Sequence, residues 1–339
     1  MKNSLLYLLA GILIAGTLPA QDLHFSMYQN TPLYYNPSSA GAFPGEHRAT
    51  INHKNQWKAI DVNYQHNYLS YEKNLFMKQN GNHLGVGVMV LNDRSGTGLL
   101  NQNYAALSTA YHINVAENNF LSAGIQVGFG QRSLNYSNLS WDNQFSDNFF
   151  NTALPSGENV NTTKSFADVG AGVQWNALLA EKYNVNVGIA GFHLNSPGVS
   201  FMNDAREKLL PKYVFHSQAL IPLPLSNTSI KPSIMYSMQG GHKEFIAGTF
   251  IRYELREASK YTGFIKGTAV YIGTHYRYKD ALVFSAGVEM GPFQFGVSYD
   301  VNTSGFKNAT KGRGGFEFNL KFTNPNPFLK PKTNLSAFF

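Results

Sequence analysis

Residues 104–130 read YAALSTAYHINVAENNFLSAGIQVGFG. In the first half, Ala105, Leu107, Thr109, Tyr111 and Ile113 alternate with Tyr104, Ala106, Ser108, Ala110 and His112. In the second, Leu121, Ala123, Ile125, Val127 and Phe129 alternate with Ser122, Gly124, Gln126, Gly128 and Gly130. A period of two puts successive side chains on opposite faces of a strand, so each run predicts a β-strand with one apolar and one polar face. Ala116-Glu117 between them reads as a short turn. The polar face decides the fold class. A soluble β-sandwich turns that face to water and usually charges it, whereas along this chain it is mostly Gly, Ser, Asn and Gln. Such runs are about 10–14 residues long, against the ~5–6 common in globular sheets. That length suits a tilted membrane crossing of ~9–11 residues.

The same pattern extends in both directions. Leu84, Val86, Val88 and Val90 alternate with Gly85, Gly87 and Met89, and Ala167, Val169, Ala171, Val173 and Trp175 oppose Asp168, Gly170, Gly172, Gln174 and Asn176. Near the end, Phe316, Phe318, Leu320 and Phe322 oppose Glu317, Asn319 and Lys321. About fourteen segments emerge, beginning near Arg48, Val62, Asn82, Leu99, Asn118, Ser165, Lys182, Lys212, Thr228, His242, Lys266, Ala281, Phe293 and Gly314. The expected fold is therefore all-β: a transmembrane antiparallel barrel of about 14 strands, an even number as in bacterial barrels. With the first strand rising from the periplasm, the longest connections, Arg132–Lys164, Asn195–Pro211 and Asn302–Arg313, all fall on the outer side, where barrels carry long loops. Asn74–Gly81 and Arg256–Ile265 are longer inward connections and break the rule. The run 313–320, RGGFEFNL, resembles the assembly signal of the last strand of outer-membrane barrels.

Composition agrees. Charged residues are 14% of the chain, well under the ~25% usual in soluble domains, and aromatics are also 14%, with 31 glycines. The net charge of +7 comes without a dense Lys/Arg run, which argues against nucleic acid. Cysteine is absent, excluding disulfides, thiolate metal sites and a Cys nucleophile. Lys2, the apolar run 5–16 and Thr17-Leu18-Pro19-Ala20 read as a secretory signal, too short to span a bilayer. The expected organisation is a signal peptide at 1–20, a periplasmic N-terminal segment or plug at 21–47, the barrel at 48–322 and a periplasmic extension at 323–339. The expected location is the outer membrane, with many crossings and both termini periplasmic, because an even strand count brings the two ends to one side.

No catalytic motif is present: no GxSxG, no HExxH, no P-loop. The ten histidines are scattered, and His216 and Ser217, as sequence neighbours, point to opposite faces of their strand. The expectation is a non-enzymatic protein with no cofactor, no metal and no small-molecule substrate. By the alternation Arg252, Glu254, Arg277, Glu289, Glu317 and Lys321 point into the lumen, as expected either of an interior plugged and neutralised by ion pairs or of a selective conduit. Tyr64, Tyr68, Tyr276, Tyr278 and Tyr299 are expected on the lipid side, as interfacial belt residues. Residues 22–45 keep aromatic and apolar side chains that free tails lack, so lumen burial and docking on a periplasmic partner both stay open. Phe338 and Phe339 at the other end are a possible partner contact.

Several stretches are familiar together. The start of the mature chain, QDLHFS at 21–26, PLYYNP at 32–37 and Ala40-Gly41, followed by Asn55-Gln56-Trp57, resembles the PorP/SprF family of the type IX secretion and gliding-motility apparatus of Bacteroidota. The likeness returns in LSWDNQ at 139–144 (Trp141, Gln144), LPSGE at 154–158, HLNSP at 193–197 and SYDVNTS at 298–304. It departs at Lys54, where the family more often has Arg, at Ser38, where Ala is usual, and in a longer tail. The family-motif positions are Asn36, Pro37, Gly41, Asn55, Gln56, Trp57, Trp141, Gln144, His193, Tyr299 and Asp300. The resemblance implies an outer-membrane protein that assists secretion or surface attachment of cargo such as large adhesins. Its implied partners are outer-membrane lipid, other type IX components and the secreted surface proteins. From the residues alone, a diffusion channel or uptake pore and a purely structural scaffold remain the alternatives.

Overall fold

The structure, a computed structural model, describes residues 22–324 apart from 57–63, 97–99, 136–138, 140, 147–148, 152, 158–160, 181, 203, 205, 257–266 and 306. Its wall is one closed antiparallel sheet of fourteen strands. These are β1 (His47–Gln56), β2 (Tyr64–Leu75), β3 (His83–Ser95), β4 (Leu100–Ala116), β5 (Asn119–Leu134), β6 (Thr163–Leu179) and β7 (Tyr183–Phe192). They continue as β8 (Lys212–Pro222), β9 (Thr228–Gln239), β10 (His242–Arg256), β11 (Thr268–Arg277), β12 (Ala281–Met290), β13 (Phe293–Asn302) and β14 (Arg313–Asn324). Each strand begins within two residues of its expected position. Closure runs from His47 opposite Asn324 to Gln56 opposite Gly315, so no strand edge is left with unpaired backbone groups. Asp142–Gln144 and the two-stranded ribbon of Phe145–Ser146 and Phe149–Phe150 decorate the longest loop.

Burial alternates along the wall as the sequence predicts, but inside out relative to a soluble protein. Leu107, Leu121, Ile125, Val127, Phe129, Val169, Ile189 and Phe316 are exposed, while Asn52, Lys54, Ser108, His112, Gln126, Asp168, Arg277 and Glu317 are buried. Apolar surface of this extent is stable only against hydrocarbon, and no helix among the described residues is long and apolar enough to cross a membrane. One expectation reverses, for Tyr64 as for Tyr68, which share the inward face of β2. Tyr68 is 1% exposed, on the lumen side of β2, and Tyr71 of the same strand takes the lipid side at 47%. Both Tyr68 and Tyr71 sit in the alternating register of that strand, and the face was misassigned by one residue. Tyr276, Tyr278 and Tyr299 do face outward.

The lumen is filled by the chain's own beginning. Residues 22–45 enter at the rim bearing the long loops, where the Asp22 N–H donates to Gln239 at the end of β9. They then cross the barrel and leave at the short-turn rim, where the Glu46 N–H donates to the Asn324 carbonyl. Three single turns compact the segment: Tyr28–Asn30, Pro32–Tyr35 and Pro37–Ser39. Pro32 and Pro37 occupy first-turn positions, where a missing N–H costs nothing. Phe25, Tyr28, Leu33, Tyr34 and Tyr35 pack with inward Tyr68, Met89, Leu91, Tyr104, Phe166, Phe192, Met235 and Ile246 into one apolar core inside the barrel. Each large side chain so buried contributes about 1.5–3 kcal/mol. The two wall ends do share a rim, as the even strand count requires. The described chain starts at the opposite rim, because parity governs the wall and the segment threading the lumen adds one more crossing.

A belt of small residues lets the segment lie against the wall. Gly85, Ala110, Gly124, Gly172 and Ala190 follow one another in register across β3 to β7. A Cβ at Gly124 would lie 2.7 Å from the Ser38 Cα, and one at Gly85 would lie 1.9 Å from the Ala40 carbonyl oxygen. Both glycines are therefore required by close approach of two backbones. Replacing Gly124 by Val should force the turn at 37–41 off the wall, at a cost of about 1–3 kcal/mol. Amide hydrogen exchange at residues 36–41 should accelerate while the barrel keeps its heat-modifiable gel migration. Unchanged exchange in the variant would contradict this packing.

Candidate functional site

The contacts between the segment and the wall are the most elaborate polar arrangement in the molecule, and they form three tiers. At the long-loop rim, His193 follows β7 with a positive φ of 54°, turning its ring into the lumen. Its Nδ1 lies 2.9 Å from Asp168 and its Nε2 2.9 Å from Asp22. Lys212 approaches Asp22 at 3.4 Å and stands 4.5 Å over the Tyr34 ring. Burial alone would push the His193 imidazolium pKa down, but Asp22 and Asp168 outweigh it and hold it up at about 9. Burial would likewise raise the Asp22 carboxyl, and His193 and Lys212 instead hold it well below the usual carboxylate range. The first residue described is thus clamped by a buried cation–anion cluster.

One tier lower, Asp300 of β13 accepts from Arg277 at 2.8 Å and from the Ser26 hydroxyl at 2.7 Å, with Lys54 at 3.4 Å. Glu317 of β14 accepts from the backbone N–H of Ser26 at 2.6 Å and of Met27 at 3.1 Å, and from Asn52 at 2.8 Å. Lys54 also donates to the His24 carbonyl at 3.2 Å. Buried charges persist only when paired and hydrogen-bonded, and here the segment's backbone is part of that pairing.

Toward the short-turn rim, the Asn36 side chain accepts from the Ser38 N–H and hydroxyl, donates to the Val173 carbonyl at 3.2 Å, and faces His216 Nε2 at 3.0 Å. The stacked rings of His83 and His112, 4.2 Å apart, reach the carbonyls of Gly41 at 3.2 Å and Ala40 at 2.8 Å. Glu72 holds the Gly41 N–H at 3.3 Å and is gripped by Arg48 at 2.7 Å.

Of the residues singled out by resemblance, Asn36, Pro37, Gly41, His193 and Asp300 come together at this interface of segment and wall. Asn55 and Gln56 end β1, Gln56 buried. Trp141 and Gln144 lie away from it in the long loop, where the Trp141 N–H donates to Gln144 and the Gln144 amide donates to the Leu154 carbonyl. Tyr299 faces outward at 44% exposure. Trp57, Phe338 and Phe339 lie outside the described residues. The inward charges Arg252 and Glu289 pair at 2.8 Å, and Arg277 and Glu317 join the tiers above. Sequence reasoning missed Asp22, Ser26, Asp168, Glu72 and the His83–His112 pair. The last is accessible once β3 and β4 are paired, because their register sets His83 opposite His112.

The clamp at His193 carries a pH signature. A His whose folded value is raised contributes stability that is complete below about 6.5 and is lost as pH rises through about 9. His193→Gln should therefore lower the heat-modification temperature most at pH 6, with the gap to the unaltered protein closing as pH passes 9. A gap independent of pH would contradict the clamp.

Among the described residues, no group of three or more His, Asp or Glu is arranged to hold a metal. No curated protein matches the chain. Among solved structures it is similar to a TodX deltaS2S3 mutant monoaromatic hydrocarbon channel, at TM-score 0.51 and 8% identity over 88% of this chain and 94% of that one. A toluene transporter TbuX of Ralstonia pickettii is similar at TM-score 0.49 and 9% identity, covering 87% and 94%. At 8% identity the first of these likenesses establishes an outer-membrane barrel fold and nothing finer. The model of the type IX secretion system membrane protein PorP/SprF matches residues 17–322, nearly the whole chain, and the chain belongs to that family.

Proposed function

We propose that this protein works as a non-catalytic outer-membrane component of the type IX secretion apparatus, assisting secretion or surface attachment of cargo proteins, with the long-loop rim facing outward. The observation that carries the reading, beside the family, is the filled lumen. A segment locked by Asp22, Ser26 and Gly41 at three heights makes a poor path for solutes. It leaves the loops and rims as working surfaces. A diffusion channel, the competing reading, needs an open path through the same lumen.

Two experiments separate them. In planar bilayers the full chain should give no stable steps, and deletion of residues 24–42 should give them while heat-modifiable migration persists. Large ion-selective steps from the intact protein would favour the channel. In cells, loss of the protein should abolish surface display of secreted cargo and leave small-solute uptake unchanged.

The tail beyond β14 supplies a proposed docking contact through Phe338 and Phe339, each worth about 1.5–3 kcal/mol if buried. Truncation after Asn324 should leave barrel assembly intact and reduce cargo display. Unchanged display, or failure of assembly, would each contradict the docking role.

A further inference from the structure

On the outside of the barrel the apolar band does not end at the same level all round. On β8 to β11 the exposed Tyr213, Met238, Phe245 and Tyr276 lie within four residues of the long-loop end of their strands. On β1 to β4 the band stops lower, at Ile51, Leu69, Val90 and Ala105, which stand side by side. Two further outward rows follow toward the same rim. His53, Asn67, Asn92 and Asn103 form the first, and Asn55, Gln65, Arg94 and Asn101 the second. Four residues of tilted strand rise roughly 10 Å, enough to cross a headgroup layer of about 5–8 Å.

These polar side chains hold one another in place. His53 Nδ1 lies 2.8 Å from the Asn67 oxygen, and Asn67 donates to Asn92 at 3.3 Å. Asn92 in turn donates to Asn101 at 2.9 Å and to Asn103 at 2.7 Å. With their oxygens so engaged, Asn101 and Asn103 present amide N–H groups outward. On the other side of His53 and Asn55 the surface sinks into a depression of about 560 Å³, edged by Tyr299, Phe316 and Arg313. A β-bulge shapes it, with Gly314 and Gly315 opposite the single Asp300. Glu317 points inward, and unbroken alternation would turn Arg313 inward as well. The extra residue re-aims Arg313 to the outer face, where it is exposed. Arg94 is exposed too, and neither arginine forms an ion pair with a described carboxylate. No carboxylate stands in either polar row.

We propose that this sector binds the phosphorylated sugar headgroup of an outer-leaflet glycolipid. Arg94 and Arg313 take phosphate oxygens, for which the guanidinium fork is suited. The amide ladder takes sugar hydroxyls, and the acyl chains lie on the exposed Ile51, Leu69 and Val90 directly beneath. An amphiphile uses both halves of this surface, whereas a wholly polar partner would use only the upper one. The site rests on the long-loop rim facing outward but not on the secretion role, and binding in detergent is read without either.

Native mass spectrometry of the full chain in detergent, titrated with diphosphorylated lipid A, should show saturable binding. Arg94→Gln combined with Arg313→Gln should weaken it roughly tenfold or more. Lys243→Gln, at the long-loop end of β10, should leave it unchanged. Heat-modifiable migration shows that each variant is folded. Phosphatidylglycerol, which offers a phosphate without the sugar, should compete poorly, and Asn67→Ala combined with Asn92→Ala should narrow that preference. Equal affinity for lipid A stripped of its phosphates, or unchanged binding by the double arginine variant, overturns the proposal. Equal competition by phosphatidylglycerol overturns the glycolipid as ligand.

Discussion

Every polar group turned inward from a closed barrel wall has to find its partner inside the barrel, because the hydrocarbon outside offers none. The N-terminal segment answers that constraint for much of this molecule. Glu317 would be a buried carboxylate without the Ser26 and Met27 amides, and Lys54 would lose the His24 carbonyl and the Ser26 hydroxyl. Wall and segment therefore share one set of buried polar contacts. The apolar core that a soluble protein hides beneath its sheets is here enclosed by a sheet, and Phe25, Tyr28, Leu33, Tyr34, Tyr35 and Ala40 of the segment are part of it.

The architecture was legible because it rests on local signals. Period-two alternation located the strands, connection lengths separated the rims, and the inward charges Arg277 and Glu317 were placed on the correct face. Tyr68 departs because β2 carries polar residues on both faces, YQHNYLSYEKNL, so alternation there has no apolar phase to lock on. The segment's path is the larger gap. Nothing in the sequence of 22–45 says that Asp22 belongs beside His193, some 170 residues on, or Ser26 beside Glu317. Such contacts depend on three-dimensional closure, which no window of sequence contains.

The glycines show the same division. Gly85, Gly124 and Gly172 read as ordinary lumen-face residues of their strands. Only hairpin register aligns them into a belt, and only the turn at 37–41 gives the belt a purpose. Family resemblance falls on both sides of the segment–wall interface, at Asn36, Pro37 and Gly41 of the segment and at His193 and Asp300 of the wall, which hold Asp22 and Ser26. Five of the eleven family-motif positions therefore lie where the segment meets the wall, and the other described ones lie elsewhere on the barrel and its loops.

The central claim is that residues 22–45 occupy the lumen in this register. Because the chain has no cysteine, a single engineered pair tests it directly. Ser39 Oγ lies 3.0 Å from Gln174 Oε1, so the thiols of Ser39→Cys combined with Gln174→Cys lie within reach of a short bifunctional methanethiosulfonate, which should bridge them in outer membranes, detected as a mobility shift of the heat-unfolded band that reductant reverses. Two free thiols that label readily and never cross-link, in a barrel that still shows heat-modifiable migration, would contradict the account.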